Sequence, residues 1–408
     1  MKNSWIDFPG FVWIQSGQVK VKVTLNSTPS IKELFFSFFK LGWTAFGGPA
    51  MIVHIRKMAV EQKQWLDETT FRDGVALCQM IPGATAMQTA AYVGFKTRST
   101  FGAGASFIGF ALPAFLIMVV LSVAYAKGHS LPPIISAFKG LQVIVTAIVA
   151  HAAFTFGKTW LKDWRGMFVA LMAAAMFGLG INPILVIIAA MICGLGLHGK
   201  ENKPSIQAMV PEHRYPYKSF LLILLLAAIA IALLFILRRP LFDLAFLMSR
   251  IDLFAFGGGY SSLPIMLNEV VHVRGWLDKF TFMDGIALGQ ITPGPIVITA
   301  TFIGYLLYGF SGAIIATIFI FLPSFILVIA IEPYFANLQR SRYFNRAIRG
   351  ILYSFVGMLM SVVIHFTLNI TWDIPRILFA ITTFTALLFN VKLPWIILIG
   401  VITSVVVF

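Results

Sequence analysis

The sequence predicts an all-α polytopic membrane protein made of two inverted-topology repeats. Three observations predict it. Of 408 residues, 59% are hydrophobic and 12% charged, against about 25% charged in soluble domains. Apolar stretches of roughly 18 residues or more recur along the whole chain, each long enough to cross a ~30 Å hydrocarbon core as a helix. The chain also repeats itself: Ala45-Phe46-Gly47-Gly48 returns as Ala255-Phe256-Gly257-Gly258. Trp65-Leu66-Asp67, Phe71, Asp73-Gly74, Gln79 and Pro82-Gly83 return as Trp276-Leu277-Asp278, Phe282, Asp284-Gly285, Gln290 and Pro293-Gly294, one residue further along, and Leu112-Pro113 returns as Leu322-Pro323. A duplicated apolar sequence interrupted by glycine and proline points to a transporter with its site between the repeats.

Taken in order, residues 1–32 form a cytoplasmic or interfacial segment. Trp5, Phe8, Phe11 and Trp13 are scattered among polar residues there, with no compact apolar run of the kind a signal peptide needs. The first repeat spans 33–198, with helical segments at 33–53, 74–95, 101–126, 138–157, 166–181 and 183–198. A linker, 199–240, is polar and proline-broken up to Lys218 and then carries a central spanning helix, 220–237, free of Gly and Pro. The second repeat, 241–408, has segments at 242–264, 285–306, 311–332, 349–368, 376–390 and 393–408. Six segments return the chain to its starting face and the lone helix carries it across, so the second half begins from the opposite face. Two re-entrant segments per half preserve that inversion, whereas one would abolish it. With the N-terminus inside, most Lys and Arg fall on the cytoplasmic face, as the positive-inside rule prefers. The exception is the 56–72 loop with Arg56, Lys57, Lys63 and Arg72, which a re-entrant first segment would move inside.

The candidate substrate-binding residues follow from the interruptions. Gly47-Gly48-Pro49 and Gly257-Gly258-Gly259 sit inside apolar segments, where glycine permits non-helical dihedrals and proline removes a donor. A helix restarted there presents free N–H groups and partial positive charge to an anion. Close helix packing is the other reading of paired glycines. Gln79, Pro82 and Gly83, and Gln290, Thr292, Pro293 and Gly294, form the second pair of breaks, each with an amide about one turn earlier. An amide donates to an oxyanion without the desolvation cost of a charge; an interhelical hydrogen bond is its alternative role. Lys40 and Arg250 lie at one repeat position, seven residues before each Phe-Gly-Gly. An ionisable residue at membrane depth is a functional candidate, with snorkelling or an Arg250–Asp252 pair as the competing reading. Asp73-Gly74 and Asp284-Gly285 read as helix starts.

The net charge of +15 is explained by topology, and no basic run interleaved with aromatics suggests nucleic acid. Cys78 and Cys193 form no CxxC pair, so no metal site or disulfide framework is expected. No hydrolase, metalloprotease, ATP-binding or dinucleotide motif is present, so neither an enzyme nor a cofactor is expected.

The repeated Phe-Gly-Gly-Pro segment, the Trp-Leu-x-x-x-x-Phe-x-Asp-Gly stretch, Gln-x-x-Pro-Gly and Leu-Pro-x-Phe resemble the chromate ion transporter family, ChrA-like proteins in the long-chain, two-domain form. The first half departs with Pro82-Gly83-Ala84 where Pro-Gly-Pro is usual, and the second with Gly257-Gly258-Gly259 where Gly-Gly-Pro is usual. The resemblance implies export of chromate, with sulfate as a similar oxyanion, across the cell inner membrane and hence chromate resistance. The family's single-domain members work as pairs, which leaves room for a homodimer here. An anion channel using the same broken helices, or a carrier of another inorganic anion such as sulfate, is the second reading.

Overall fold

The computed structural model describes residues 28–46, 48–128, 131–197, 217–389 and 391–407. The expected N-terminal segment up to residue 27, the polar part of the linker and Gly47 lie outside the described residues.

α1 (Ile31–Gly42) is capped by Ser30, whose Oγ accepts the Glu33 N–H at 3.1 Å. α2 (Gly48–Arg56) runs on into a π-helical stretch, Lys57–Gln62. α1 and α2 are two arms of one hairpin, because Lys63 Nζ at the end of the second arm reaches Glu33 Oε1 at the start of the first, at 2.9 Å. α3 (Glu68–Met80) and the first arm of α4 (Thr85–Gly128), α4a at 85–97, form another hairpin. The Tyr92 hydroxyl donates to Thr70 O at 3.2 Å across it. Arms of 12 to 15 residues are about 18–22 Å long, short of the ~30 Å core. The segments expected as single interrupted crossings are therefore re-entrant hairpins that return to the face where α1 begins, here termed proximal.

Non-helical dihedrals at Arg98 and Ser99 fold α4 back on itself, and α4b, at 100–128, crosses to the distal face. α5 (Pro132–Trp160) returns. α6 (Trp164–Gly178) and α7 (Pro183–Leu197) are a pair of short helices, the first capped by Asp163. α8 (Tyr217–Leu237) carries the chain across alone, and no residue of its most apolar window is buried in the protein.

The second half repeats the plan from the distal face. α9 (Arg239–Leu253) pairs with α10 (Ser262–Met266), which runs on into a π-helical stretch, Leu267–Val273. That stretch holds seven residues where its counterpart holds six, which accounts for the extra residue before the second Trp. α11 (Lys279–Ile291) pairs with α12a, at 299–307, the first arm of α12 (Thr299–Ile331). A fold-back at Tyr308 and Gly309 leads into α12b, at 310–331, then the short α13 (Phe335–Arg340), α14 (Arg342–Asn369), and the short pair α15 (Ile374–Leu388) and α16 (Leu393–Val407). Asp373 caps α15 as Asp163 caps α6.

Inversion follows from side-chain contacts. Phe107 packs on Phe321 and Phe325 while Phe115 packs on Phe310, so α4b and α12b cross antiparallel. Lys96, ending the second hairpin of the first half, pairs with Glu332 at the end of α12. Tyr125, near the distal end of α4b, bonds Asp284 near the start of α11. Each half's hairpins thus open where the other half's long helix ends. Two re-entrant segments per half keep the expected parity. They also put Arg56, Lys57, Lys63 and Arg72 on the proximal face and Arg274 and Lys279 on the distal one. Small residues let the helices touch: a Cβ on Gly350 would lie 2.2 Å from Ala190 O, and one on Gly357 2.0 Å from Ala170 O.

One expectation is corrected. α3 and α11 do not start at Asp73 and Asp284 but at Glu68 and Lys279, capped by Asp67 and Asp278 of the repeated Trp-Leu-Asp. Asp67 Oδ1 accepts the Thr70 N–H at 2.9 Å, and Asp278 Oδ1 those of Phe280 at 2.9 Å and Thr281 at 3.0 Å. A β-conformation Asp followed by Thr serves as the cap, which leaves the later Asp free for other work.

Candidate functional site at the meeting of the helix breaks

The hairpin tips meet inside the protein. The Gly83 N–H donates to Ala255 O at 2.9 Å, and the Gly294 N–H donates to Ala45 O at 2.9 Å. Each bond joins the Pro-Gly break of one half to the Phe-Gly-Gly break of the other, and the two are related by the repeat. Glycine is required at these donors: Gly83 has φ 119° and Gly294 φ 120°, outside the range of side-chain-bearing residues. A Cβ on Gly83 would sit 1.8 Å from Ser324 Oγ, and one on Gly294 2.9 Å from the Ala114 Cβ. Gly258 faces Thr85 at the start of α4a, while Gly259 faces Ile296.

Irregular backbone at this depth is tolerated only inside protein or beside a wet cavity, and these tips are buried. Ala45 and Ala255 are fully buried, as are Ser324 and Asp252. Each restarted helix, α2, α4a, α10 and the turn leading to α12a, brings its N-terminus to the junction, so four sets of first-turn N–H groups converge there.

The halves are not chemically identical. Asp252 stands where the first half has Gly42. Its carboxylate accepts the Ser324 N–H at 2.7 Å and the Ser324 hydroxyl at 2.8 Å, just past Pro323. Ser324 in turn stands where the first half has Ala114. Gln88, fully buried, has no hydrogen-bond partner at Oε1.

Among the sequence-expected site residues, Gly83, Gly258 and Gly294 are at the junction. Gly257 packs against Leu352 and Phe355. Gln290 donates to the Tyr260 hydroxyl at 3.1 Å, tying the two second-half hairpins together, whereas Gln79 is half-buried. The Thr292 hydroxyl bonds Leu288 O of its own helix at 2.8 Å. Pro82 and Pro293 precede the two donor glycines, and Gly48 and Pro49 open α2. Lys40 is exposed in the last turn of α1. Arg250 pairs not with Asp252 but with Glu269 on the facing arm, which is only 2% exposed, and the Arg250 Nε–H is buried without a partner. Among the described residues Lys40 and Arg250 share no bond and no partner. Glu269 O accepts the Arg274 N–H as Met58 O accepts that of Lys63, so Glu269 stands where the first half has Met58 and the acid belongs to the second half alone.

The sequence alone assigned no site role to Ala45, Ala255, Asp252, Ser324 or Glu269. The two alanines open the repeated Ala-Phe-Gly-Gly, so the repeat itself was a signal for them. The other three sit where the halves differ, and an argument from symmetry discards such positions.

The sequence profile of the family described as Chromate transporter matches the chain twice, over residues 32–195 and 242–405. An uncharacterized transporter of Methanocaldococcus jannaschii is 43% identical over 90% of this chain and 92% of its own length. A probable chromate transport protein of Synechococcus elongatus is 30% identical over 92% and 95%. A chromate transport protein of Cupriavidus metallidurans is 29% identical over 88% of each chain. No solved structure matches.

Proposed function

The chain belongs to the chromate transporter family, and from that premise we propose that it exports chromate and similar oxyanions, sulfate among them, by alternating access between its two halves. The observation that carries this reading is the reciprocal pair Gly83–Ala255 and Gly294–Ala45. A site built from equivalent breaks of two inverted halves offers the same donors to both faces, so rocking one half against the other exposes it to each in turn. The anion is held by first-turn N–H groups at the breaks, with the unpartnered Arg250 Nε–H nearby on the same hairpin as Gly257 and Gly258. The proximal face is cytoplasmic: with Arg56, Lys57, Lys63 and Arg72 joined to Lys96, Arg98, Lys158, Lys162 and Arg165, it carries most of the cations.

Export suits the physics of a dianion. Leaving a cell negative inside by about 100 mV gains roughly 4–5 kcal/mol, from ~2.3 kcal/mol per charge, or more than a thousandfold in concentration.

Inverted membrane vesicles containing the protein test the reading. Uptake of labelled chromate and sulfate should saturate, show counterflow, and rise with an imposed interior-positive potential. Uptake that never saturates and shows no counterflow would mark a channel, and uptake of neither oxyanion would overturn the substrate class.

A further inference from the structure

On the distal face a cavity of about 350 Å³ reaches in between the halves. We propose that Asp284 on its wall is a proton-binding site whose occupancy sets the affinity of this cavity for an oxyanion, an inference that rests on the transport reading above.

Among the described residues Asp284 is the one acid lining the cavity, and it is 6% exposed. Both carboxylate oxygens are held by neutral donors: the Tyr125 hydroxyl at 2.9 Å from α4b, and Gln142 Nε2 at 2.8 Å from α5. Among the described residues no cation pairs with it. The cations of the cavity stand elsewhere on its wall. Lys139 is exposed on α5, while the Arg376 guanidinium from α15 is turned to Thr371 and to Asp373 at 3.2 Å. The cavity therefore joins two cations and several amides and hydroxyls, which suit an oxyanion, to one buried carboxylate, which repels it when ionised. Like charges repel more strongly in a partly desolvated space than in water. A proton on Asp284 removes that repulsion and adds an O–H donor.

Other titratable groups face this region. Asp278 and Lys279 stand at the mouth, where Lys279 Nζ donates to Asn369 Oδ1 of α14 at 3.3 Å. The His272 and His365 rings pair at 5.7 Å, His365 lying one turn before Asn369. α12a presents Phe302 beside Gly285, and α16 carries no titratable residue. The repeat-related Asp73 is exposed, so only the second half buries this acid.

The test is equilibrium binding of labelled sulfate, a dianion throughout, to the purified full chain between about pH 5 and 8. Wild type should lose affinity as pH rises, approaching tenfold per unit. Asp284→Asn should hold the low-pH affinity at every pH, and Asp284→Glu should keep the slope with a displaced midpoint. Should Asp284→Asn fail to fold, Tyr125→Phe and Gln142→Leu serve instead. Each strips a donor from the ionised form, so the loss of affinity should begin at higher pH. A wild-type slope in Asp284→Asn overturns the proposal and, if His272→Gln with His365→Gln flattens it, assigns the proton to the imidazoles. A flat wild-type curve also overturns it. Absence of sulfate and chromate binding to wild type at any pH is instead a failure of the transport reading.

Discussion

Ser99 occupies φ 54°, ψ −152°, where its counterpart Gly309 has φ 61°, ψ −147°. That region is almost reserved for glycine and costs other residues about 1–3 kcal/mol. Ser99→Gly should therefore stabilise the protein by about 1 kcal/mol, read as a raised unfolding temperature in detergent; an unchanged or lowered value would mean the fold-back relaxes without strain. The caps Asp67 and Asp278 make stability depend on pH. Burial works to raise both carboxyls, but the hydrogen bonds from Thr69 and Thr70, and from Thr281 and Phe280, outweigh it and hold both below the usual carboxylate range. A lowered folded value means stability that is fully present above the unfolded value near 4 and is lost as pH falls through the folded one. Acid unfolding curves should show that loss, and Asp67→Asn with Asp278→Asn should flatten it. Arg250 is coupled to Glu269, so Arg250→Gln leaves a buried carboxylate with only Arg274 at 3.9 Å and should cost about 3–5 kcal/mol. Arg250→Gln with Glu269→Gln should restore the fold. If that double variant binds sulfate as wild type does, Arg250 is structural; a tenfold weakening assigns it to the substrate.

At the scale of elements, the sequence located every break and the lone spanning helix but not the direction of the chain after each break. An apolar, helix-periodic stretch reads alike whether the chain continues across or turns back. Arm length separates the cases, and it is set by boundaries such as Asp67 and Gln62 that periodicity places poorly. The four breaks were legible because glycine and proline mark them. Asp252 was not, because its partner Ser324 lies 72 residues away in α12b, and Glu269 was not, because the repeat offers no matching acid. The Lys96–Glu332 ion pair joins the proximal ends of the two halves, at 18% and 14% side-chain exposure, and the repeat supplies Leu306 and Ser122 at the corresponding distal positions. The proximal side is thus joined by an ion pair, while the distal side, which holds the cavity, is joined by the hydrogen bonds from Tyr125 and Gln142 to Asp284. Lys96→Glu and Glu332→Lys should each slow transport, and the double reversal should recover it. If both single variants transport normally, the pair does not fasten that face.

For the whole molecule, the antiparallel crossing of α4b and α12b and the reciprocal tip bonds require one half to be upside down relative to the other. α8 alone meets that requirement within a single polypeptide, and it does so while burying no residue of its apolar window in the protein. Selection can then see that α8 crosses once, but can see little of its side chains. Its sequence should drift within the apolar alphabet, save where Phe220, Ile223 and Leu234 pack partly buried against the core, while loss of the crossing should destroy the site. Exchange of 217–237 for an unrelated leucine-rich span should leave transport intact, and its deletion should abolish transport even if both halves are made in full. Among natural variants of this chain, α8 should be where substitutions accumulate fastest and where a deletion is never tolerated.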